Sequence, residues 1–459
     1  MSLLSAIDNA KSSMRIIQTE MQVISSNVSS AGVDGYTKKR LLTSAIASGP
    51  DGTGGVKIDG YSRATSTTID TLLKQAMSDA GLRGAQSDYL SRVQDLMGSS
   101  QSNPALSKAI TDFSTAWNSY AAAPEDSTNK QNILYTAQNL TREVTRLATG
   151  LDKIKADVNA DVGASVTSLN GSLQRIYSLN NEISTAEATG QDSGSLQDMR
   201  DKEVQNISSM LKITVVQRPG NRIAIFTPAG SSLLDSDPKQ FVWNGTTITQ
   251  NGADVTSAMV GGKLEGLIGL LDQGSSGATL NDPGKATFYK IGEQLNKIVD
   301  LFTNAAGTFA TAYNSATTGS GELASSFFTG TDRYTFVLNT ALATGSSTLK
   351  VAAAIGVAAD LNLENRSVSA GNLSTSNVSY AGFTNAMVGA QNQNAKQISD
   401  LATIYTSQKD DYSKRLKDET GVNIDEEIVM LTQLQNNYSA SARVITTVKQ
   451  LFDILNSIF

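Results

Sequence analysis

The chain has 459 residues, a formal net charge of -6 and an isoelectric point near 5.0, a length that accommodates about two to four domains. Its acidic balance argues against nucleic acid or an anionic membrane as a partner, since either needs clustered Lys and Arg. It contains no cysteine and no histidine, which removes disulfides, thiolate nucleophiles, Cys-ligated zinc and the commonest general base.

From the N-terminus, Leu3, Ile7, Ala10, Met14, Ile17, Met21, Ile24 and Val28 recur at alternating spacings of four and three, an a/d seam on one helix. Ser, Asn, Gln, Thr and scattered charges stand between them, so the helix has a narrow apolar face that needs a partner. It lacks the basic start, continuous apolar core and cleavage site of a secretory signal. No stretch of the chain reaches membrane-spanning length. Ser29 to Gly35 break the pattern, and Tyr36 is the first large side chain after the break. A joint with the turn-formers Gly49-Pro50-Asp51-Gly52 leads into the body.

Ile69 to Met97 predict a helix loosened at Gly81 and Gly84, and Asn103-Pro104 a cap and first-turn proline for the next, lined by Leu106, Ile110, Phe113, Trp117 and Tyr120. From about Asn132 to Thr189, Ile133, Ala137, Leu140, Val144, Leu147, Leu151, Ile154 and Val158 keep heptads. Val162 and Val166 insert a four-residue stutter, and Leu169, Leu173, Ile176 and Ile183 resume. This predicts one rod-like helix of roughly 85 Å. Leu196 to Leu211 suggest a return helix.

The period then switches to two. Ile213 to Gln217 and Arg222 to Phe226 flank Pro219-Gly220, placed for a type II turn. Phe241 to Trp243 and Thr246 to Thr249 flank Asn244-Gly245, a two-residue hairpin signal. Residues 212–262 therefore read as a small β insertion. Asp282-Pro283 repeats the cap-then-proline start before Phe288, Ile291, Leu295, Ile298, Phe302, Ala305 and Phe309. Residues 317–376 are Gly/Ser/Thr-rich, with Tyr334 to Leu338 as their best strand, and read as an irregular cap or a second part of the insertion. Phe383 to Tyr412 carry a helix to Gly421.

At the C-terminal end Asn423 is placed as an N-cap, with Asp425, Glu426 and Glu427 favouring the positive end of the helix dipole. That acidic run reads as helix charge rather than a metal site. Ile424, Ile428, Leu431, Leu434, Tyr438, Ala442, Ile445, Val448, Phe452, Leu455 and Phe459 follow at threes and fours.

The run Ser25-Ser26-Asn27-Val28-Ser29-Ser30-Ala31-Gly32-Val33-Asp34-Gly35-Tyr36-Thr37-Lys38-Lys39-Arg40 resembles the N-terminal signature of flagellar rod, hook and hook-associated proteins, with Val33-Asp34 where that family usually has Thr-Pro. Gly421 to Glu427 and Gln435 to Ile445 are similar to its C-terminal half, and within the superfamily the FlgK-type hook-associated family is most similar. The resemblance implies a hook-to-filament junction component, exported unfolded through the flagellar type III channel without a cleaved signal. It also implies self-assembly in a ring, hook protein and the next hook-associated protein as partners, and an export chaperone. A hook or rod protein is the alternative within the superfamily; a coiled-coil scaffold or secreted helical adhesin is the alternative outside it.

The chain carries few motifs for chemistry. Gly284-Lys285 has Thr279 where a phosphate-binding loop needs glycine. Asp157, Asn159 and Asp161 imitate a calcium loop but have Val162 and Ser168 where Gly and Glu are required. No enzyme activity and no cofactor are expected. The expected fold is mainly α with a β insertion: paired N- and C-terminal coiled-coil helices (1–36 with 422–459), an elongated helical bundle (37–211, 263–316 and 377–421), the β insertion (212–262) and the cap (317–376). The expected assembly interface is Leu3, Ile7, Met14, Ile17, Met21, Ile24, Val28 and Tyr36 on one end, with Ile424, Ile428, Leu431, Tyr438, Ile445, Phe452 and Leu455 on the other.

Overall fold

A computed structural model describes residues 3–46, 55–98, 104–274, 277–304 and 306–458. The elements run α1 (Leu3–Ser30), β1 (Lys39–Ile46), β2 (Gly55–Arg63), α2 (Thr67–Met97), α3 (Ala105–Ala122), α4 (Ser127–Ala188) and α5 (Gly194–Met210). Strands β3 (Thr214–Arg218), β4 (Arg222–Phe226), β5 (Ser232–Leu234), β6 (Phe241–Trp243), β7 (Ile248–Gln250) and β8 (Ala253–Asp254) follow. Next come α6 (Gly262–Leu271), α7 (Gly277–Asn281), α8 (Thr287–Thr303), α9 (Phe309–Asn314), β9 (Phe328–Thr329), β10 (Val337–Leu338), α10 (Thr340–Ala343) and α11 (Ala354–Leu361). The chain ends with β11 (Arg366–Ala370), β12 (Leu373–Val378), α12 (Tyr380–Thr420) and α13 (Ile424–Ile458). The fold is mainly α with small antiparallel sheets.

Two units divide the chain, one of Met1–Asp79, Val166–Val260 and Thr406–Phe459, the other of Ala80–Ser165 and Gly261–Tyr405. The residues expected to form a single helical bundle are shared between them, and α2, α4 and α12 contribute to both.

In the first unit α1 packs along α13, and the β1–β2 hairpin lies against α1. On sequence the stretch after Arg40 reads as a loop or a short extended region, and the structure makes it the strand β1. Its residues alternate poorly because most of the strand is exposed, so no period-two burial marks it. The hairpin has a bulge at Asp59, where Leu42 pairs Gly60 and Thr43 pairs Ile58. The turn-formers Gly49 to Gly52 lie outside the described residues.

Strands β3-β4-β5 and β6-β7-β8 make two three-stranded sheets. Gly220 has the positive φ expected of a type II turn, and Asn221 adds a second at 52°. The second hairpin differs from expectation: Trp243 pairs Ile248 across a four-residue loop. There the Asn244 side chain accepts hydrogen bonds from the amides of Thr246 and Thr247, a local bond that competes with the tight two-residue turn. Two asparagines of α4 dock both sheets. Asn170 donates to Phe241 O at 2.8 Å and accepts from Phe241 N at 3.0 Å, and Asn180 does the same with Ile223 at 2.8 and 3.1 Å. Each side-chain amide replaces a missing strand neighbour.

In the second unit the predicted heptad positions of α4 from Ile133 to Val162 are all buried. Pro104 itself takes the N-cap of α3; Asn103 lies outside the described residues. Helix α8 starts at Thr287 rather than beside Asp282, whose side chain instead closes a turn onto Gly284 N. The expected run through Phe309 stops at Thr303, and Gly307 with φ 72° turns the chain into α9. Only Val337 and Leu338 of the expected Tyr334 strand are extended in a ladder.

Phe113, Trp117, Phe302, Phe309, Tyr313, Phe327, Phe328 and Phe336 form one aromatic core, with rings such as Phe327 and Phe328 at 4.8 Å. Residues 317–376 are thereby bound into the helical core of the second unit and are separate from the β insertion in the first. Their low periodicity reflects burial of single aromatics from irregular chain rather than a regular face.

Candidate functional site: the terminal helix pair and its polar base

The two terminal seams meet. Ile17 and Ile24 of α1 bury against Leu434 of α13, with Met21, Val28, Leu431 and Tyr438 packed around them. Gln18 Nε2 donates to the Tyr438 hydroxyl at 3.3 Å. Ile7, Met14, Ile445 and Phe452 are half-buried, and Val448 is buried. The side chains of Leu3 and Leu455 lie outside the described residues. Ile424 and Ile428 are not in this seam: they are 46% and 50% exposed.

At its base the seam ends in a buried ion pair. Glu427, Leu431, Leu434, Tyr438, Ile445, Val448 and Phe452 all fall on one heptad register, so the position continuing the apolar face inward is Glu427, 1% exposed. Its Oε1 pairs with Lys38 Nζ at 2.8 Å and its Oε2 accepts from Asn27 Nδ2 at 2.9 Å. Neighbouring Glu426, 66% exposed, also reaches Lys38 at 3.3 Å. Asn423 caps α13, its Oδ1 accepting from Asp425 N at 3.1 Å.

Asn27 uses its whole hydrogen-bonding capacity. Its Oδ1 accepts from Lys39 N and the Tyr36 hydroxyl, both at 3.0 Å, and its Nδ2 also donates to Lys39 O at 2.9 Å. The segment after α1 is thus folded back onto the last turn of α1. Lys38 N donates to Thr420 O at 2.8 Å, tying the same segment to the end of α12. Burial pushes the Tyr36 phenol above its ordinary value, with Asp198, Asp192 and Glu427 adding to the rise.

Asp198 of α5 anchors the other side. It accepts from Thr37 Oγ1 at 2.7 Å and Arg63 NH1 at 3.1 Å, with Lys39 Nζ at 3.6 Å. Lys39 Nζ also stands 4.4 Å from the Tyr36 ring centre. Arg200 is buried and bonds Asn180 Oδ1 and Asn221 O; burial lowers its affinity for its proton. A cleft of about 780 Å³ lies beside the cluster, edged by Asp34, Arg63, Asp70, Asp201, Lys202 and Lys417. Its charges are mixed, so it offers no one-sign attraction for an ionic ligand.

Sequence reasoning found the apolar seam and Tyr36 but missed Asn27, Lys38, Asp198 and the buried Glu427. The heptad register from Leu431 back to Glu427 is the signal that points to it. The calcium-like triad lies on α4, where Asp161 accepts from the Tyr89 hydroxyl at 2.8 Å and Asp157 pairs with Arg92. Among the described residues no group of three or more acidic side chains is placed to hold a metal, and no helix is long and apolar enough to cross a membrane.

The chain is similar to known proteins. Residues 419–458, which hold the Asn423 cap, Glu427 and the α13 seam, match the family described as flagellar basal body rod FlgEFG protein C-terminal. Flagellar hook-associated protein 1 of Escherichia coli K12 is 26% identical over 50% of this chain and 43% of its own length. That of Salmonella typhimurium LT2 is 23% identical over 68% and 56%, so the chain spans about half the length of these two relatives. The Bacillus subtilis 168 protein of the same name is 21% identical over 97% of this chain and 96% of its own. A solved structure of the flagellar hook junction protein FlgK from Burkholderia pseudomallei is 20% identical, with a TM-score of 0.47 over 56% of this chain and 46% of that one. Residues 90–328, more than half the chain and including the long helix α4 with the asparagine-docked sheets, match the model described as the flagellar hook-associated protein FlgK helical domain, and the chain therefore belongs to the FlgK hook-associated protein family.

Proposed function

We propose that this chain is a structural component of the bacterial flagellum that joins the hook to the filament and self-assembles as a ring through α1 and α13. The observation that carries the reading is the outer face of α13. With α1 already covering the seam, Ile424, Ile428 and Val429 near the start of α13 and Val444, Leu451 and Ile454 near its end remain 46–68% exposed, apolar side chains of the kind that mark an assembly interface. In this reading neighbouring copies cover that face. Hook protein and the next hook-associated protein are the axial neighbours, and an export chaperone shields the face beforehand. The work is assembly rather than turnover, and the protein acts outside the cell.

Val429→Asp, at the most exposed of these positions, tests the reading. It should leave the helical circular dichroism spectrum unchanged and abolish filament growth; normal motility would remove the assembly role of this face. The rod or hook reading draws on the C-terminal match. A deletion strain separates the two by electron microscopy, since hooks without filaments fit a junction protein and absent hooks fit the rival.

A further inference from the structure

We propose that the cluster at the base of the terminal pair closes an intramolecular isopeptide bond between Lys38 Nζ and Asn27 Cγ, with Glu427 as the proton carrier and ammonia as the leaving group. The inference rests on the geometry of the cluster and is independent of the flagellar reading. Three groups needed for amide transfer are held together, and each of the three residues is at most 8% exposed. The amine and the departing amide nitrogen sit on the two oxygens of one carboxylate, Lys38 Nζ at 2.8 Å from Oε1 and Asn27 Nδ2 at 2.9 Å from Oε2. The amide oxygen is polarised by two donors, the backbone N–H of Lys39 and the Tyr36 hydroxyl, both at 3.0 Å. That is the arrangement that stabilises the oxyanion of a tetrahedral intermediate.

The chemistry balances without a co-reactant. The carboxylate of Glu427 takes a proton from the Lys38 ammonium, which also discharges an ion pair that is costly to bury. The free amine pair attacks Cγ, forming the new C–N bond while the carbonyl π pair moves onto Oδ1, facing Lys39 N and Tyr36. Glu427 gives its proton to Nδ2 through Oε2 and takes the next one from the attacking nitrogen through Oε1. The C–Nδ2 bond breaks, Oδ1 returns its pair, and ammonia leaves carrying the original amide nitrogen, taking the remaining proton from Glu427 as ammonium and restoring the carboxylate. An ammonium and a primary amide become a secondary amide and an ammonium ion, in a single turnover. Positioning by the fold supplies the effective concentration that makes amide exchange feasible. The product would covalently fasten the segment after α1 to the last turn of that helix, beneath the pair.

Mass spectrometry of the purified folded chain decides the matter. The wild-type protein should be lighter than its sequence by one ammonia. Trypsin should fail after Lys38 and release residues 16–39 as one peptide carrying the same deficit. Lys38→Arg keeps a cation beside Glu427 but removes the nucleophile, and Glu427→Gln keeps the shape but removes the base; both should return to full mass. Wild-type protein at full mass with cleavage after Lys38 overturns the proposal. So does an ammonia deficit that persists in Lys38→Arg, which would be a succinimide at an asparagine.

Discussion

Glu426 and Glu427 are adjacent, identical in chemistry and both within reach of Lys38, yet the structure assigns them different weights. Glu427 is buried with Asn27 and Lys38, whereas Glu426 is 66% exposed. Removing one partner of a buried pair costs about 3–5 kcal/mol, while an exposed pair contributes at most about 1 kcal/mol. Glu427→Ala should therefore lower the denaturation midpoint strongly and Glu426→Ala scarcely, as read by urea unfolding. Equal effects would show that the charge, not the burial, matters. The same contrast explains why reading Asp425 to Glu427 as one set of helix-end charges captured only part of the run. Dipole complementarity is a property of sequence position, but burial of the third carboxylate depends on where Lys38 and Asn27 arrive.

At the scale of elements, the terminal pair is held by few residues. Ile17, Ile24 and Leu434 form its buried centre, so Ile17→Asp would place an unpaired carboxylate there at a cost of several kcal/mol. It should separate α1 from α13, raising amide exchange along both helices, and leave the Trp117 environment of the other unit unchanged. Unaltered exchange in α1 would contradict the pairing. The β insertion depends on α4 through Asn170 and Asn180. Asn180→Leu keeps the volume but orphans Ile223 N and O, and takes from buried Arg200 one of its acceptors. A loss of about 1–3 kcal/mol per orphaned group is expected, with faster exchange at the Ile223 amide than at Phe241, which Asn170 still holds. On sequence pattern the insertion looks separable from the helices; these bonds make it part of their surface.

For the whole molecule, each of the two tryptophans reports one unit, Trp117 in the second and Trp243 in the first. Phe113 stands at the centre of the aromatic core, within 6.2 Å of the Trp117 ring and 5.8 Å of Phe327. Phe113→Ala should cost about 3–5 kcal/mol, seen as an earlier unfolding transition in Trp117 emission when Trp243 is replaced by Phe. An unchanged midpoint would mean that the cluster is not the core of that unit. Removal of residues 317–376 should unfold the same unit, because Phe327, Phe328 and Phe336 go with it.

The sequence by itself determined the long elements. Helices α1, α4, α12 and α13 follow from periodic apolar positions sustained over many turns, and the β3–β4 hairpin follows from a clean switch to period two around Pro219-Gly220. Such patterns are local, since each repeats the same face to the same side. The family, too, was legible from two short motifs at opposite ends. Only the tertiary structure decided that Asn27 joins Tyr36, Lys39 and Glu427, and that an irregular stretch shares an aromatic core with α3 and α8. Those outcomes depend on side chains 9 to 400 positions apart meeting, and a single buried polar contact between distant segments leaves no period in the chain that carries it.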